Sequence, residues 1–355
     1  MKKAITMILA SAMVTSMLAG CSSGSKTATT TTSNEVKSVS IGCTIYKFDD
    51  TFLTGVRNSI TAAATAAKAK VEIVDSTNSS ATQNEKIELF ITKKVNSLEI
   101  NPVDSASAGA IITKAKSANI PVVFFNRMPS ASDMNTWDKV YYVGAKPEQS
   151  GIMQGKILAA YWKANPKADT NKDGIMDYVM ITGEPGHPDA IARTKASIAE
   201  IVKEGIKVNL VATDTGMWDR VKAQDKMQSI LAAKGNKVEA VLANNDDMAL
   251  GAISALKAAG YFKGTKYMPV VGVDATAPGI AALADGSMLG TVLNDAKNQG
   301  IATFNISKLL AEGKVPTSEN AGYTLTDKKY VWIDYKQITK ANMRDRRASC
   351  RERVF

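Results

Sequence analysis

Short β-branched runs alternate with longer helical patterns along almost the whole chain, and this alternation constrains the fold more than any other feature. The runs are Val39 to Tyr46, Val71 to Val74, Leu98 to Ile100, Val122 to Phe125, Val140 to Val143, Tyr178 to Ile181, Val208 to Ala212, Val238 to Leu242, Val270 to Val273 and Gly290 to Leu293. Between them lie stretches such as Phe52 to Lys68, Gln83 to Thr92, Ser105 to Ala118, Gln149 to Ala164, Asp189 to Lys203, Asp219 to Ala232 and Asp246 to Ala258, most opened by an Asp, Ser or Thr cap. Repeated βα units force parallel sheets covered by helices on both faces, an α/β fold. At 355 residues the chain exceeds what one hydrophobic core organises, so two lobes are expected.

In such sheets a ligand site forms at the carboxyl ends of the strands. Asp50, Asn101, Asn245, Asp274 and Asn294 each stand just after an apolar run. Any one of them is explained as a helix cap or turn residue, but the set shares one topological position. Phe52 and Trp218 stand at strand-to-helix turns too. Aromatic plates with carboxylates and amides between them suit a sugar, whose hydroxyls lie around its edge and whose two faces are apolar C–H. The segment Gly183-Glu184-Pro185-Gly186-His187-Pro188-Asp189-Ala190-Ile191-Ala192-Arg193 holds the single histidine and opens a helix, with Asp189 and Arg193 one turn apart on a shared face.

The ends of the chain read differently. Lys2 and Lys3, an apolar stretch to Met17 and then Leu18-Ala19-Gly20-Cys21 form an export signal over residues 1–20, closed by a tetrad similar to a lipobox that would lipidate Cys21. Ser, Thr, Gly and Ala dominate the following residues, so 21–37 is expected to be an anchor and flexible tether. Cys43 and Cys350 are then left, too few for a disulfide framework, and Cys43 is expected as a small core residue. The formal charge of +10 owes much to the two ends, with Arg344, Arg346, Arg347, Arg351 and Arg353 in an atypical basic tail, 343–355. No basic run with interleaved aromatics lies between, which excludes a nucleic-acid groove.

A second constellation is Asp169-Thr170-Asn171-Lys172-Asp173-Gly174-Ile175-Met176-Asp177, with oxygen residues at loop positions one, three, five and nine and glycine at six. That spacing is a calcium loop. Met180 stands where an EF-hand places its bidentate glutamate, so that ligand must come from elsewhere.

These motifs, with Ile45-Tyr46-Lys47-Phe48-Asp49-Asp50, Ala243-Asn244-Asn245-Asp246, Gly272-Val273-Asp274 and Gly290-Thr291-Val292-Leu293-Asn294-Asp295, resemble the galactose/glucose-binding proteins of bacterial ABC transport, from about Ser40 to Lys314. The resemblance implies two Rossmann-like lobes of the type I periplasmic-binding-protein architecture closing on one hexose. It implies Asp50, Asn101, His187, Asp189, Arg193, Asn245, Asp274 and Asn294 as hydrogen-bonding contacts, Phe52 and Trp218 as stacking plates, Asp50 at the 4-hydroxyl in either epimer and Asp189 at the anomeric hydroxyl. It supplies the missing calcium ligand as Glu239 and adds the Ile175 carbonyl, the ion being structural. Asp177 departs from the neutral amide expected at loop position nine. The lobes are expected at 38–120 plus 295–330 and at 121–294 plus 331–342, with crossings near Pro121, Asn294 and Tyr330. The partners implied are galactose or glucose and the importer's permease and ATPase subunits, with a chemoreceptor as an optional reader of the closed form. The chain is expected to act as an extracytoplasmic, lipid-anchored monomer.

An enzyme would have to start from His187 and Asp189, but Pro188 between them opposes a base-and-orienter geometry, and no Gly-x-Ser-x-Gly turn supplies a nucleophile. A paired-carboxylate glycosidase is the remaining enzymatic alternative. A sugar-responsive repressor would need an amino-terminal helix-turn-helix where this chain carries an export signal and tether.

Overall fold

The computed structural model describes Val39–Met343; the signal, Cys21, the tether, Cys350 and nearly all of the basic tail lie outside the described residues. In chain order the strands are β1 (Ser40–Ile45), β2 (Lys70–Asp75), β3 (Ser97–Ile100), β4 (Val122–Phe125), β5 (Val140–Gly144), β6 (Ile175–Thr182), β7 (Lys207–Thr215), β8 (Ala240–Ala243), β9 (Val270–Val271), β10 (Gly290–Leu293), β11 (Leu325–Thr326), β12 (Tyr330–Trp332) and β13 (Lys336–Thr339). They form a 7-stranded sheet, β11-β12-β5-β4-β3-β1-β2, and a 6-stranded sheet, β13-β10-β9-β8-β6-β7. All pairings are parallel except β11 with β12 and β13 with β10. The two Rossmann-like lobes that the resemblance implies are therefore present.

Period-two alternation along the strands feeds a core on each face of each sheet. In β4, Val123 and Phe125 pack with Val56, Ile60 and Ile306 from helices Thr51–Ala66 and Ala296–Ala311. Val122 and Phe124 pack on the other face with Phe90 and Ile111. The second sheet is sandwiched likewise, by Met227 and Ala252 on one side and by Ile157, Leu158 and Ile201 on the other. Cys43 is a fully buried free thiol in the first core, as its apolar strand suggested.

The expected lobe boundaries need two corrections. The first crossing is not near Pro121, because β4 pairs with β3 and β5 pairs with β4, keeping residues 122–144 in the first lobe. Pro121 merely enters a central strand, where its carbonyl accepts the Leu98 N–H and its missing donor costs nothing. The chain crosses at Ala145 and Lys146, and Pro147 opens helix Pro147–Ala164. The third crossing follows Trp332 rather than Tyr330, since Tyr330–Trp332 pair with β5 and Ile333 still donates to the Gly144 carbonyl. The second crossing lies at Asn294 as expected, between β10 and helix Ala296–Ala311.

Candidate functional site

The carboxyl ends of both sheets face one shared cavity. Its walls are Asp50, Phe52, Tyr46, Asn126 and Arg127 from the first lobe, and His187, Asp189, Arg193, Trp218, Asn245 and Asp274 from the second, with Asn294 at a crossing. Every sugar contact expected from the sequence is among them except Asn101. That side chain is fully buried and is not part of the cavity wall. Its Oδ1 accepts the Tyr46 N–H (3.1 Å), and its Nδ2 donates to the Phe125 carbonyl (3.2 Å) and to Asn126 Oδ1 (3.1 Å), so here it positions Tyr46 and Asn126.

Several walls are helix caps, so the capping explanation and the ligand explanation hold together. Asp50 caps helix Thr51–Ala66 with Oδ1 (2.8 Å from Leu53 N), while its Oδ2 accepts the Tyr46 hydroxyl at 2.6 Å. Asn245 caps helix Asp246–Ala258 through Oδ1 (2.9 Å from Met248 N). His187 caps helix Pro188–Lys203, its Nδ1 accepting the Asp189 N–H at 3.1 Å. A neutral imidazole that accepts at Nδ1 carries its proton on Nε2. Burial, then Arg127 and Arg193, lower the His187 pKa to about 3, so that neutral donor is kept.

Arg193 is nearly fully buried. It donates to Asp189 Oδ2 (3.1 Å), the Asn244 carbonyl (2.8 Å) and the Tyr335 hydroxyl (3.1 Å), which leaves its buried Nε without a protein partner. Trp218 Nε1 is a second buried donor without one. The Trp218 ring meets His187 edge-on, with centroids 5.1 Å apart, and its backbone takes a left-handed φ of 61°. Asp274 has φ 114°, a conformation costly for a side-chain residue and held here by the pairing of its N–H with the Val292 carbonyl. Asn294 Nδ2 reaches Asp274 Oδ1 at 3.3 Å, and Gln299 donates to Asn294 Oδ1 at 2.6 Å.

Burial raises the carboxyls of Asp50, Asp189 and Asp274, the last well above its usual range even against the pull of Arg193. Such carboxylates are stabilised by hydrogen-bond donors, whereas an anionic ligand would add to their repulsion. Buried acceptors with unpartnered buried donors, in a wall shared with the Phe52 and Trp218 rings, suit an uncharged polyhydroxyl compound.

The sequence reading missed Tyr46, Asn126 and Arg127. A signal for the last two was available, since they follow β4 as Asn101 follows β3. The residues that support the site gave no such signal. Asp246 is fully buried, accepts from the Thr276 N–H and hydroxyl and the Thr291 hydroxyl, and is raised to about 7 by burial.

The calcium-type loop lies at the other end of β6, where the strand begins. Gly174, with φ 74°, turns its N–H onto Asp169 Oδ2 (2.9 Å). Glu239 is brought to the loop as the resemblance implies: Oε1 accepts from the Thr170 N–H (2.6 Å) and Oε2 from the Asp177 N–H (3.1 Å). The Asn171 amide nitrogen stands between Asp173 Oδ2 (3.0 Å) and Asp177 Oδ2 (3.2 Å), and Asp169 Oδ1 is buried without a partner. Among the described residues no group of three or more His, Cys, Asp or Glu is disposed as a ready-made metal site. The donors nevertheless fit a hard cation in type, and turning the Asn171 amide would present its oxygen.

Residues 41–315 match the family model described as periplasmic binding protein domain. The chain belongs to that family. It is 44% identical over 307 residues, 86% of this chain and 91% of the other, to the D-galactose/methyl-galactoside binding periplasmic protein MglB of Haemophilus influenzae. A ribose import binding protein, RbsB of Bacillus subtilis, is 26% identical over 93% of this chain and all of its own length. Among solved structures, an ABC transporter solute binding protein from Bacillus halodurans C-125 with bound myo-inositol superposes with TM-score 0.73 at 29% identity, covering 87% of this chain and 97% of that one. The binding protein described here is accordingly an extracytoplasmic, sugar-binding component of an ABC importer and not an enzyme. No helix among the described residues is long and apolar enough to cross a membrane.

Proposed function

We propose that this binding protein captures D-galactose or D-glucose, or a methyl galactoside, and hands it to the permease and ATPase subunits of its importer. The observation that carries this is the cavity itself: Phe52 and Trp218, from opposite lobes, share its wall with the buried carboxylates, amides and arginine. The 44% identity to a protein named for galactose and methyl galactoside supports the same choice. Asp50 gives Oδ2 to the Tyr46 hydroxyl and Oδ1 to the helix cap, and each carboxylate oxygen keeps a further lone pair to accept a hydroxyl in either epimeric position. The myo-inositol in a 29% identical structure supplies the competing ligand class.

Isothermal titration of protein lacking residues 1–21 against galactose, glucose, methyl galactoside, ribose, arabinose and myo-inositol tests this. One-to-one binding of galactose or glucose with silent pentoses is expected. Binding of myo-inositol alone, or silence from both hexoses in folded protein, would refute the assignment.

Two further roles belong to this reading. Asp169, Asn171, Asp173, the Ile175 carbonyl, Asp177 and Glu239 would hold a structural Ca²⁺ that pins the loop to β6 and β8, far along the strand from the sugar. Cys21 would carry the lipid that anchors a monomeric protein to the membrane, and a chemoreceptor is a further partner for the closed lobes.

A further inference from the structure

Arg127 follows β4 in the first lobe and Glu184 follows β6 in the second. Their side chains meet across the cleft with Nη1 and Oε2 3.0 Å apart, 4% and 18% exposed. Every other ion pair among the described residues lies within one lobe. Arg127 is also held within its own lobe. Nη1 also donates to the Val103 carbonyl at 2.6 Å, and the guanidinium lies 4.0 Å from the Tyr46 ring centroid. The Tyr46 hydroxyl in turn donates to Asp50. On the other side, the Glu184 carbonyl accepts the His187 N–H at 3.1 Å, which sets the loop, and the Glu184 side chain is not part of the cavity wall.

We propose that Arg127 and Glu184 form a closure latch, an affinity-determining pair that holds the lobes together over the sugar without Glu184 touching it. The inference rests on the sugar-binding reading above. Apparent affinity scales with the fraction of molecules in the competent, closed form, so a pair made only on closure multiplies the affinity contributed by direct contacts. The cation is held in advance by Val103 and Tyr46, and ordering on closure falls chiefly on Glu184. Lysine would not reproduce Arg127, because only a planar guanidinium lies face-on over the Tyr46 ring while its Nη1 donates to Val103 and Glu184. The line Glu184, Arg127, Tyr46, Asp50 links the latch to a carboxylate of the sugar site, coupling lobe closure to sugar capture.

The test is a double-mutant cycle with Glu184→Gln, Arg127→Met and both together, read by titration with D-galactose and D-glucose, stopped-flow release and sugar-free small-angle scattering. Glu184→Gln is expected to raise Kd by about tenfold, mainly through faster release, as truncating one partner of a buried charge pair does. In the Arg127→Met background the same change should add little. Glu184→Asp, which keeps the charge and shortens its reach, should lose affinity too while melting like the wild type. Sugar-free wild type should scatter as more compact than Glu184→Gln. Unchanged affinity in Glu184→Gln, or an equal loss in both backgrounds, would overturn the latch. If the wild type binds neither hexose, the sugar assignment fails instead, and the latch is then decided by scattering: equal dimensions for wild type and Glu184→Gln would overturn it.

Discussion

Gly183 lies under the Trp218 ring so closely that a Cβ there would come within 2.1 to 2.4 Å of ring atoms Cζ2, Cη2 and Cε2. Gly183→Ala therefore displaces the ring while adding no polar group. A ring covering one face of a hexose buries about 60 Å² of C–H surface, worth about 1.5 kcal/mol, and the pair geometry adds about 1 kcal/mol. Loss of about 2.5 kcal/mol is a roughly 70-fold rise in Kd. Trp218→Ala should reach a similar figure by removing the plate outright. The decisive result is the combination: Gly183→Ala should be nearly silent in a Trp218→Ala background, because the clash has nothing left to displace. Calorimetric titration with galactose measures all three variants, with thermal melts to check folding. Equal losses from Gly183→Ala in both backgrounds would refute the argument and show that the glycine acts through its backbone, whose N–H donates to Asn244 Oδ1 at 3.0 Å.

Other consequences are open to measurement. Arg193→Met should cost about 3 to 5 kcal/mol of folding stability by leaving buried carboxylates uncompensated, and should abolish sugar binding; an unchanged denaturation midpoint would refute this. Glu99 is fully buried, accepts from the Ser307 hydroxyl, and is raised by burial from 4.5 to about 7. The folded state therefore holds this proton more tightly than the unfolded state, and stability falls as pH rises from about 4.5 through 7. Glu99→Gln should gain up to about 3 kcal/mol over wild type at pH 8 and almost nothing at pH 4, so a difference independent of pH would contradict it. Asp173→Ala should remove the stabilisation that calcium gives, about 3 kcal/mol at a hundredfold excess over Kd, while leaving sugar affinity nearly unchanged. A large affinity loss with no change in melting temperature would contradict a structural ion.

Much of the site was legible because one rule covers it: a polar residue just after an apolar run stands at the carboxyl end of a strand. Asp50, Asn245, Asp274 and Asn294 follow that rule and line the cavity. Asn101 follows it too, but its side chain is spent on hydrogen bonds to Tyr46, Phe125 and Asn126, a distinction that spacing along the chain does not carry. The Asp169–Asp177 spacing likewise marked a loop of hard donors, since its turn geometry is local.

Local pattern thus determined strands β1 to β10, their parallel pairing and the end of each sheet where ligands bind, because periodicity and caps act over a few residues, but not the short strands β11, β12 and β13 or their antiparallel pairs. The sheet that accepts a strand is a different matter. β4 and β5 are as apolar as the strands of the second lobe, and only their neighbours' registers keep them in the first. The same holds for the buried groups. The elevation of Glu99 and Asp246, the orphaned Nε of Arg193 and the meeting of Arg127 with Glu184 depend on desolvation and on contacts between residues far apart in sequence. Those are properties of packed lobes, fixed only when tertiary structure excludes water and brings the carboxyl ends of the two sheets together.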